Sequence, residues 1–192
     1  MSSFCNQKEL LKLGLGSIGS NVYISKYARF YNASNIHIKS NVRIDDFCIL
    51  SAGQGGISIN EYVHIGCYSS LIGEGSISIA KFANISSRVS IFSSSDDFSG
   101  KSLTNPMIDK QYKLLDNKPV IIKKHVIIGT NSTILPGVTL EEGCAIGAHS
   151  LVKESCSPFL IYAGVPVRKV GNRAQNLLRL ENQFIFNKNN IL

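Results

Sequence analysis

Tryptophan is absent from this chain of 192 residues, and all aromatic residues together make up only 8%. Charged residues account for 17% and hydrophobic residues for 44%. This combination of little charge and abundant apolar material is not that of a disordered chain. The interior must therefore be built from Ile, Val and Leu rather than from large aromatic rings.

The chain also lacks a C-x-x-C pair, although it contains five cysteines. Because their number is odd and their spacing irregular, we predict free thiols in a reducing compartment rather than a disulfide framework. No stretch resembles a secretory signal, and no apolar run reaches the ~18 residues of a membrane span. We therefore expect a cytoplasmic protein with no membrane span.

Clustered basic charge of the kind that binds nucleic acid is also missing. The formal net charge is +7, but the lysines and arginines are scattered along the chain. The densest basic positions are Lys123-Lys124 and Arg168-Lys169. Such pairs suit a phosphorylated small molecule better than a nucleic-acid surface, where basic residues cluster on one face. We predict no nucleic-acid partner.

The most informative feature is an aliphatic residue at every sixth position. Three segments of 20 or 21 residues, at 36–56, 57–76 and 77–97, each begin Ile-x-Ile. A weaker copy of the pattern covers 18–29. The sixth-position residues are Ile38, Ile44, Leu50, Ile59, Ile65, Leu71, Ile79, Ile85 and Ile91, followed by Ile122, Ile128, Ile134, Leu140, Ile146 and Val152.

A period of six matches neither a helix nor a simple half-buried strand, which favour spacings of three to four and of two. It indicates a short strand, a tight corner and another short strand, with small residues at the corners. Three such strands form one triangular coil, and each coil buries its aliphatic face against its neighbours. The sequence predicts an all-β solenoid.

Two segments depart from this pattern. Residues 93–119 have no six-residue register, and so long an irregular connection is usually functional or disordered. We predict an excursion loop that leaves the solenoid after Ile91 and rejoins it at Val120. Near the end of the chain, apolar residues at helical spacing predict a C-terminal helix over 173–187. The expected organisation is a solenoid domain over 1–172 and a helix with a tail over 173–192.

The segment IIGTNSTILPGVTLEEGCAIGAHSLV, followed by YAGVPVRKV, resembles the bacterial hexapeptide-repeat acyltransferases. The resemblance covers about 36–173. It implies a left-handed parallel β-helix, a homotrimer, and acetyl-CoA bound in grooves between subunits. The loop segment SSSDDFSG...LTNP is similar to that of a sugar O-acetyltransferase branch of the family. It implies transfer of an acetyl group to a hydroxyl, or an amine, of a saccharide, a nucleotide sugar or a polysaccharide precursor.

Direct attack of an acceptor on a thioester needs a general base but no metal. The family's usual base is a histidine near the loop, and this loop contains none. We predict His64 as the base, because an inward Ile65 places His64 on the outer face of the coil. Asp96 and Asp97 would orient His64 or bind the acceptor. Since neighbours in an extended chain point to opposite sides, only one of them faces the site; the alternative is that both only shape a turn.

The resemblance also implies which residues bind CoA. Two lie next to the glycines that follow inward isoleucines, two belong to the turn after the last coil, and two form a basic pair suited to phosphates. In that order they are Thr130 and Ala148, Gly164 and Pro166, and Arg168 and Lys169.

Two other classes of protein remain possible from the sequence. A zinc hydratase of the carbonic anhydrase type shares the coil shape but needs three histidines at one site. The spacings of His64, His125 and His149 do not provide an evident set. The second class is a non-catalytic solenoid interaction module, which the missing loop histidine would explain.

Overall fold

The computed structural model describes residues 3–189. Short parallel strands alternate with tight corners, and each coil adds one strand to each of three sheets. The result is a left-handed parallel β-helix of about seven turns followed by a short C-terminal helix, as predicted. No helix within 3–189 is long and apolar enough to cross a membrane.

The three sheets form the walls of a prism. The first sheet contains β1 (Ser17–Ile18), β4 (Ile36–Ile38), β7 (Ile57–Ile59), β10 (Ile77–Ile79), β15 (Val120–Ile122) and β18 (Thr139–Leu140). The second contains β2 (Tyr23–Ile24), β5 (Arg43–Ile44), β8 (His64–Ile65), β11 (Asn84–Ile85), β16 (Ile127–Ile128), β19 (Ala145–Ile146), β21 (Leu160–Gly164) and β22 (Val167–Asn172). The third contains β3 (Arg29–Tyr31), β6 (Ile49–Ala52), β9 (Ser70–Gly73), β12 (Ser90–Phe92), β17 (Thr133–Ile134) and β20 (Leu151–Val152).

The aliphatic residues at every sixth position form the core. Every one of them is at most 3% exposed. They stack in register from coil to coil, so that Ile44 pairs with Ile65, which in turn pairs with Ile85. Burying a side chain of this size stabilises the fold by roughly 1.5–3 kcal/mol. The weak early pattern is also a complete coil, because β1, β2 and β3 pair with the strands below them.

The coils turn at three corners, which we name by the sheets that they join. The first corner leads from the first sheet to the second, the second corner from the second sheet to the third, and the third corner back to the first. At the first two corners a residue with positive φ makes the turn, as at Tyr62 (59°) and Tyr68 (61°). The excursion loop, residues 93–119, lies at the third corner.

The excursion loop closes on itself before the chain re-enters the solenoid. Its ends pair as a short antiparallel ribbon of β13 (Ser94–Ser95) and β14 (Asp116–Asn117). Beyond the ribbon, β15 pairs directly with β10. The loop is therefore an insertion that leaves the stacking of the coils uninterrupted.

The C-terminal region differs from the prediction in two respects. The C-terminal α-helix, α2, spans Asn176–Asn189 rather than 173–187. A short helix near the start of the chain, α1, spans Gln7–Leu11. Before α2, an antiparallel hairpin of β21 and β22 extends the second sheet. The predicted start was too early because the hairpin keeps the chain extended up to residue 172.

Helix α2 covers the first corner. The Phe184 ring packs edge-on against Tyr62 and Phe82, with centroid separations of 5.3 and 6.2 Å. Glu181 accepts hydrogen bonds from Lys124 and His125, each at 2.7 Å. Since the second corner carries no such cover among the described residues, its outer surface is open.

Candidate active site

One outer column of the second corner contains three of the residues expected to bind CoA. Ile128 pairs with Ile146, and Ile146 with Tyr162, so the residues two positions later stack on one another. These are Thr130, Ala148 and Gly164. We call them the CoA column. The close stacking requires glycine in the adjacent column, because a Cβ added to Gly129 would lie 2.5 Å from the Ala148 nitrogen.

The remaining predicted CoA residues lie on the hairpin at the end of the second sheet. Pro166 is part of the exposed turn between β21 and β22. Arg168 and Lys169 are exposed on β22, paired with Ala163 and Tyr162. The structure therefore brings all six predicted residues to the same end of the second sheet and its corner. Both basic side chains are free of ion pairs within the described part of the chain.

Ser86 is a further candidate for the site, and its position in the sequence did not single it out. It follows inward Ile85, in a column where the coils above and below have Gly66 and Gly129. Its hydroxyl has no hydrogen-bond partner among residues 3–189, and the side chain is half-buried. The available signal was a serine interrupting a column of glycines, one coil above Gly129 and beside the CoA column.

The loop aspartates have different surroundings. Asp96 is exposed and lines a cleft of about 460 Å³ between the excursion loop and the third corner. The cleft is also lined by Asn32, Glu74, Lys110 and Lys113. No hydrogen bond is made by the Asp96 carboxylate within the described chain. This carboxylate is available to a ligand.

Asp97 instead organises the loop. Its carboxylate accepts hydrogen bonds from the backbone nitrogens of Ser99 (2.8 Å) and Ser102 (2.9 Å). Hydrogen bonds from Ser99, with smaller contributions from Ser102, lower the pKa of Asp97 to about 2. Of the two aspartates, Asp97 thus has its carboxylate bound within the loop, whereas that of Asp96 is exposed.

His64 lies on the outer face of the second sheet, as expected from the inward Ile65. Its two ring nitrogens are 2.8 Å from Asp45 Oδ2 and 3.0 Å from Asn84 Oδ1. Partial burial would raise the pKa of Asp45, but hydrogen bonds from His64 and Arg43 hold it below its usual value. The third corner, where the loop leaves, lies opposite this sheet. Within one chain, His64 is therefore not brought to Asp96 or Asp97.

The other histidines have local partners. His125 is only 8% exposed and is bound to Glu181. His149 contacts the Asn131 amide at 3.2 Å, and His37 contacts the Ser17 hydroxyl at 3.0 Å. No group of three His, Cys, Asp or Glu side chains within 3–189 is arranged to hold a metal ion.

Comparisons with known proteins agree with this geometry. Residues 119–154 match the family "Bacterial transferase hexapeptide (six repeats)". The dTDP-4-amino-4,6-dideoxy-D-glucose acyltransferase of Escherichia coli is 48% identical over 182 residues, which are 95% of this chain and 95% of that protein. Galactoside O-acetyltransferase of E. coli strain K12 is 40% identical, but only over 27% of this chain and 26% of its own.

Solved structures of AntD, an N-acyltransferase from Bacillus cereus, match over almost the whole chain. A serine variant in complex with dTDP-4-amino-4,6-dideoxyglucose and coenzyme A is 49% identical, covers 97% of this chain and 100% of its own, and has a TM-score of 0.93. AntD has also been solved with dTDP and 3-hydroxybutyryl-CoA. In other AntD structures an aspartate ten positions after that serine is replaced.

The prism of stacked coils and the length of these matches define the class of protein: the chain is an acyltransferase of the bacterial hexapeptide-repeat family. Within that family, its full-length relatives are the acyltransferases of amino-deoxysugars rather than the galactoside O-acetyltransferase, whose match is local.

Proposed function

We propose that this chain transfers an acyl group from an acyl-CoA to the amino group of a dTDP-linked amino-deoxysugar. The observation that carries the proposal is similarity at 48–49% identity over 95% or more of the chain to two acyltransferases of this acceptor class. Because these two matches span almost the whole chain, they include the excursion loop. The match to galactoside O-acetyltransferase covers only 27% of the chain. An N-acyl product replaces the O-acetyl product suggested by the loop motif.

The donor site is the CoA column together with the hairpin. We propose that backbone groups of Thr130, Ala148 and Gly164 bind the pantetheine arm. The turn at Pro166 would follow the arm, and Arg168 and Lys169 would pair with the CoA phosphates through charge-assisted hydrogen bonds. Acetyl-CoA is the donor that we propose first, and AntD with 3-hydroxybutyryl-CoA makes the acyl length a variable to measure.

Two side chains are proposed to act on the reacting atoms. The Asp96 carboxylate would accept a hydrogen bond from the acceptor amine and take its proton as the amine attacks the thioester carbonyl. The Ser86 hydroxyl would donate to the developing oxyanion. Ser86 and Asp96 are ten positions apart, the same spacing as the serine and aspartate replaced in AntD. No covalent enzyme intermediate is needed.

Ser86 and Asp96 lie at different corners of the prism, so we propose that two subunits complete one site. The excursion loop of one subunit would bring Asp96 to the open second corner of the next. A homotrimer with three such sites is the closed arrangement that we propose. The loop exposes Phe98 (94%) and Met107 (89%), apolar side chains that a neighbouring subunit would cover.

Five free cysteines, two of them half-buried, support a reducing compartment, and we propose a cytoplasmic location. The acylated nucleotide sugar would serve as a precursor for a surface polysaccharide.

The proposal is tested by turnover of the purified full chain. Release of the free CoA thiol is followed with dTDP-4-amino-4,6-dideoxyglucose as acceptor and with acetyl-CoA or 3-hydroxybutyryl-CoA as donor. We expect turnover that depends on the acceptor, and an N-acyl sugar by mass spectrometry. The matched control acceptor carries a hydroxyl in place of the amine. Equal turnover of the hydroxyl acceptor would instead support O-acylation. If the chain neither released thiol nor bound CoA, the non-catalytic module would be supported.

Ala148→Leu should block the donor site. Ala148 is exposed in the CoA column between Thr130 and Gly164, and the larger side chain would occupy the groove that the pantetheine arm needs. Because the residue points to solvent, we expect CoA affinity to fall at least tenfold while the melting temperature is unchanged. The comparison variant is Ala145→Leu on the outer face of β19, two positions before the corner. CoA affinity equal to that of the unmodified chain would remove the column from the donor site.

A further inference from the structure

A polar network crosses three coils on the outer face of the second sheet. Arg43 Nε donates to Asp45 Oδ1 at 2.6 Å, and His64 Nε2 is 2.8 Å from Asp45 Oδ2. On its other side, His64 Nδ1 is 3.0 Å from Asn84 Oδ1. Arg43, His64 and Asn84 are consecutive members of one ladder, because their strands pair in that register. The network is fixed by the same stacking that builds the core.

Both ring nitrogens of His64 therefore have partners, a carboxylate on one side and an amide on the other. The Asp45 carboxylate binds Arg43 through one oxygen and His64 through the other. The next residue, Asp46, is turned toward the Ser25 hydroxyl, 2.5 Å away. Arg43 gives its Nε to Asp45 while its side chain is 57% exposed, so its terminal guanidinium nitrogens retain donors that face solvent.

The network lies beside Ser86. Asn84 and Ser86 flank the inward Ile85, so both side chains point outward from the same strand. With about 3.3 Å per residue along a strand and about 4.8 Å between strands, the His64 and Ser86 positions are roughly 8 Å apart. Gly66 lies between them on the coil of His64 and adds no side chain. This distance suits a pyranose ring with the phosphate on its anomeric oxygen.

We infer that Arg43 and His64 bind the diphosphate of the nucleotide acceptor while its amino group lies at Ser86. The inference rests on the proposed function and extends it to the acceptor site. Charge complementarity selects this occupant, since a diphosphate is the one strongly anionic group of the acceptor. His64 would then bind the substrate beside Arg43 rather than act as the general base predicted from the sequence, because both of its ring nitrogens already have partners.

The test measures dTDP and CoA binding by calorimetry on the full chain. His64→Gln and Arg43→Gln should each weaken dTDP binding about tenfold or more, the effect of losing a charged hydrogen bond. CoA affinity should stay unchanged, which also shows that the variants are folded. His64→Lys keeps a cation and should stay within about threefold of the unmodified chain. The control is His37→Gln, a histidine on the outer face of the first sheet with a serine partner.

The outcomes separate this inference from the proposed function. Unchanged dTDP affinity in both glutamine variants, or equal weakening in His37→Gln, overturns the diphosphate site and leaves acyl transfer standing. An unmodified chain that acylates a sugar without binding dTDP overturns both the site and the nucleotide acceptor. Loss of dTDP binding in His64→Lys as severe as in His64→Gln also contradicts the role of charge.

Discussion

Asp96→Asn is expected to lower the turnover number about a thousandfold, within the range of 10²–10⁴ for loss of a general base. The amide has nearly the shape of the carboxylate but accepts no proton. Because the Asp96 side chain makes no hydrogen bond or ion pair within the described residues, the melting temperature should not change. Turnover is measured by thiol release, and CoA and dTDP affinities by calorimetry. Both affinities should remain near those of the unmodified chain.

Asp97→Asn is the matched variant one position away. It removes a carboxylate that accepts hydrogen bonds from Ser99 and Ser102, so the loop loses order instead of losing a proton acceptor. We expect a much smaller decrease, about tenfold, together with faster proteolysis within the loop. A severe loss of turnover in Asp97→Asn, with near-normal turnover in Asp96→Asn, would mean that Asp97 rather than Asp96 accepts the proton.

The solenoid could be predicted from the sequence because its core is periodic. Every coil repeats the same contact, so one correct register predicts many buried residues. Ile44, Ile85 and Ile128 follow one rule and occupy equivalent positions in the structure. The hairpin of β21 and β22 and the start of α2 obey no such repeat. They depend on a single turn near Gly164 and on packing against the last coil.

The column of the proposed donor site follows from the same register. Thr130, Ala148 and Gly164 each stand two positions after an inward residue, and the stacking of coils brings them together. Ser86 stands one position after the inward Ile85, in the adjacent column and one coil above Gly129. It was missed because a serine beside an isoleucine is common throughout this sequence.

The surroundings of His64 could not be predicted from its local sequence. The segment around it shows an exposed histidine, whereas its environment comes from residues 19 and 20 positions away, Asp45 and Asn84. Each of those partners contacts one of the two ring nitrogens. The choice between Asp96 and Asp97 had the same difficulty, because only the folded loop shows that Asp97 is bound by Ser99 and Ser102.

Inactive chains should restore one another's activity if Ser86 and Asp96 of different subunits form each site. Ser86→Ala alone is expected to lose about a hundredfold or more in turnover, as for a removed oxyanion donor. Subunits of Ser86→Ala and Asp96→Asn carry different affinity tags, are coexpressed, and are purified on both tags in sequence. A site with Ser86 from one chain and Asp96 from the other is then intact. In a trimer that carries both tags, and therefore both variants, about one third of the sites should be of that kind.

The mixed enzyme should therefore have roughly a third of the unmodified turnover number, far above either variant alone. A mixture combined only after each oligomer has formed controls for additive residual activity and should show no recovery. Persistent inactivity of the coexpressed mixture would mean that both side chains act from the same subunit. The excursion loop would then have to fold across the third sheet to reach the second corner of its own chain. Recovery requires no such movement, because each loop needs to reach only the open corner of its neighbour.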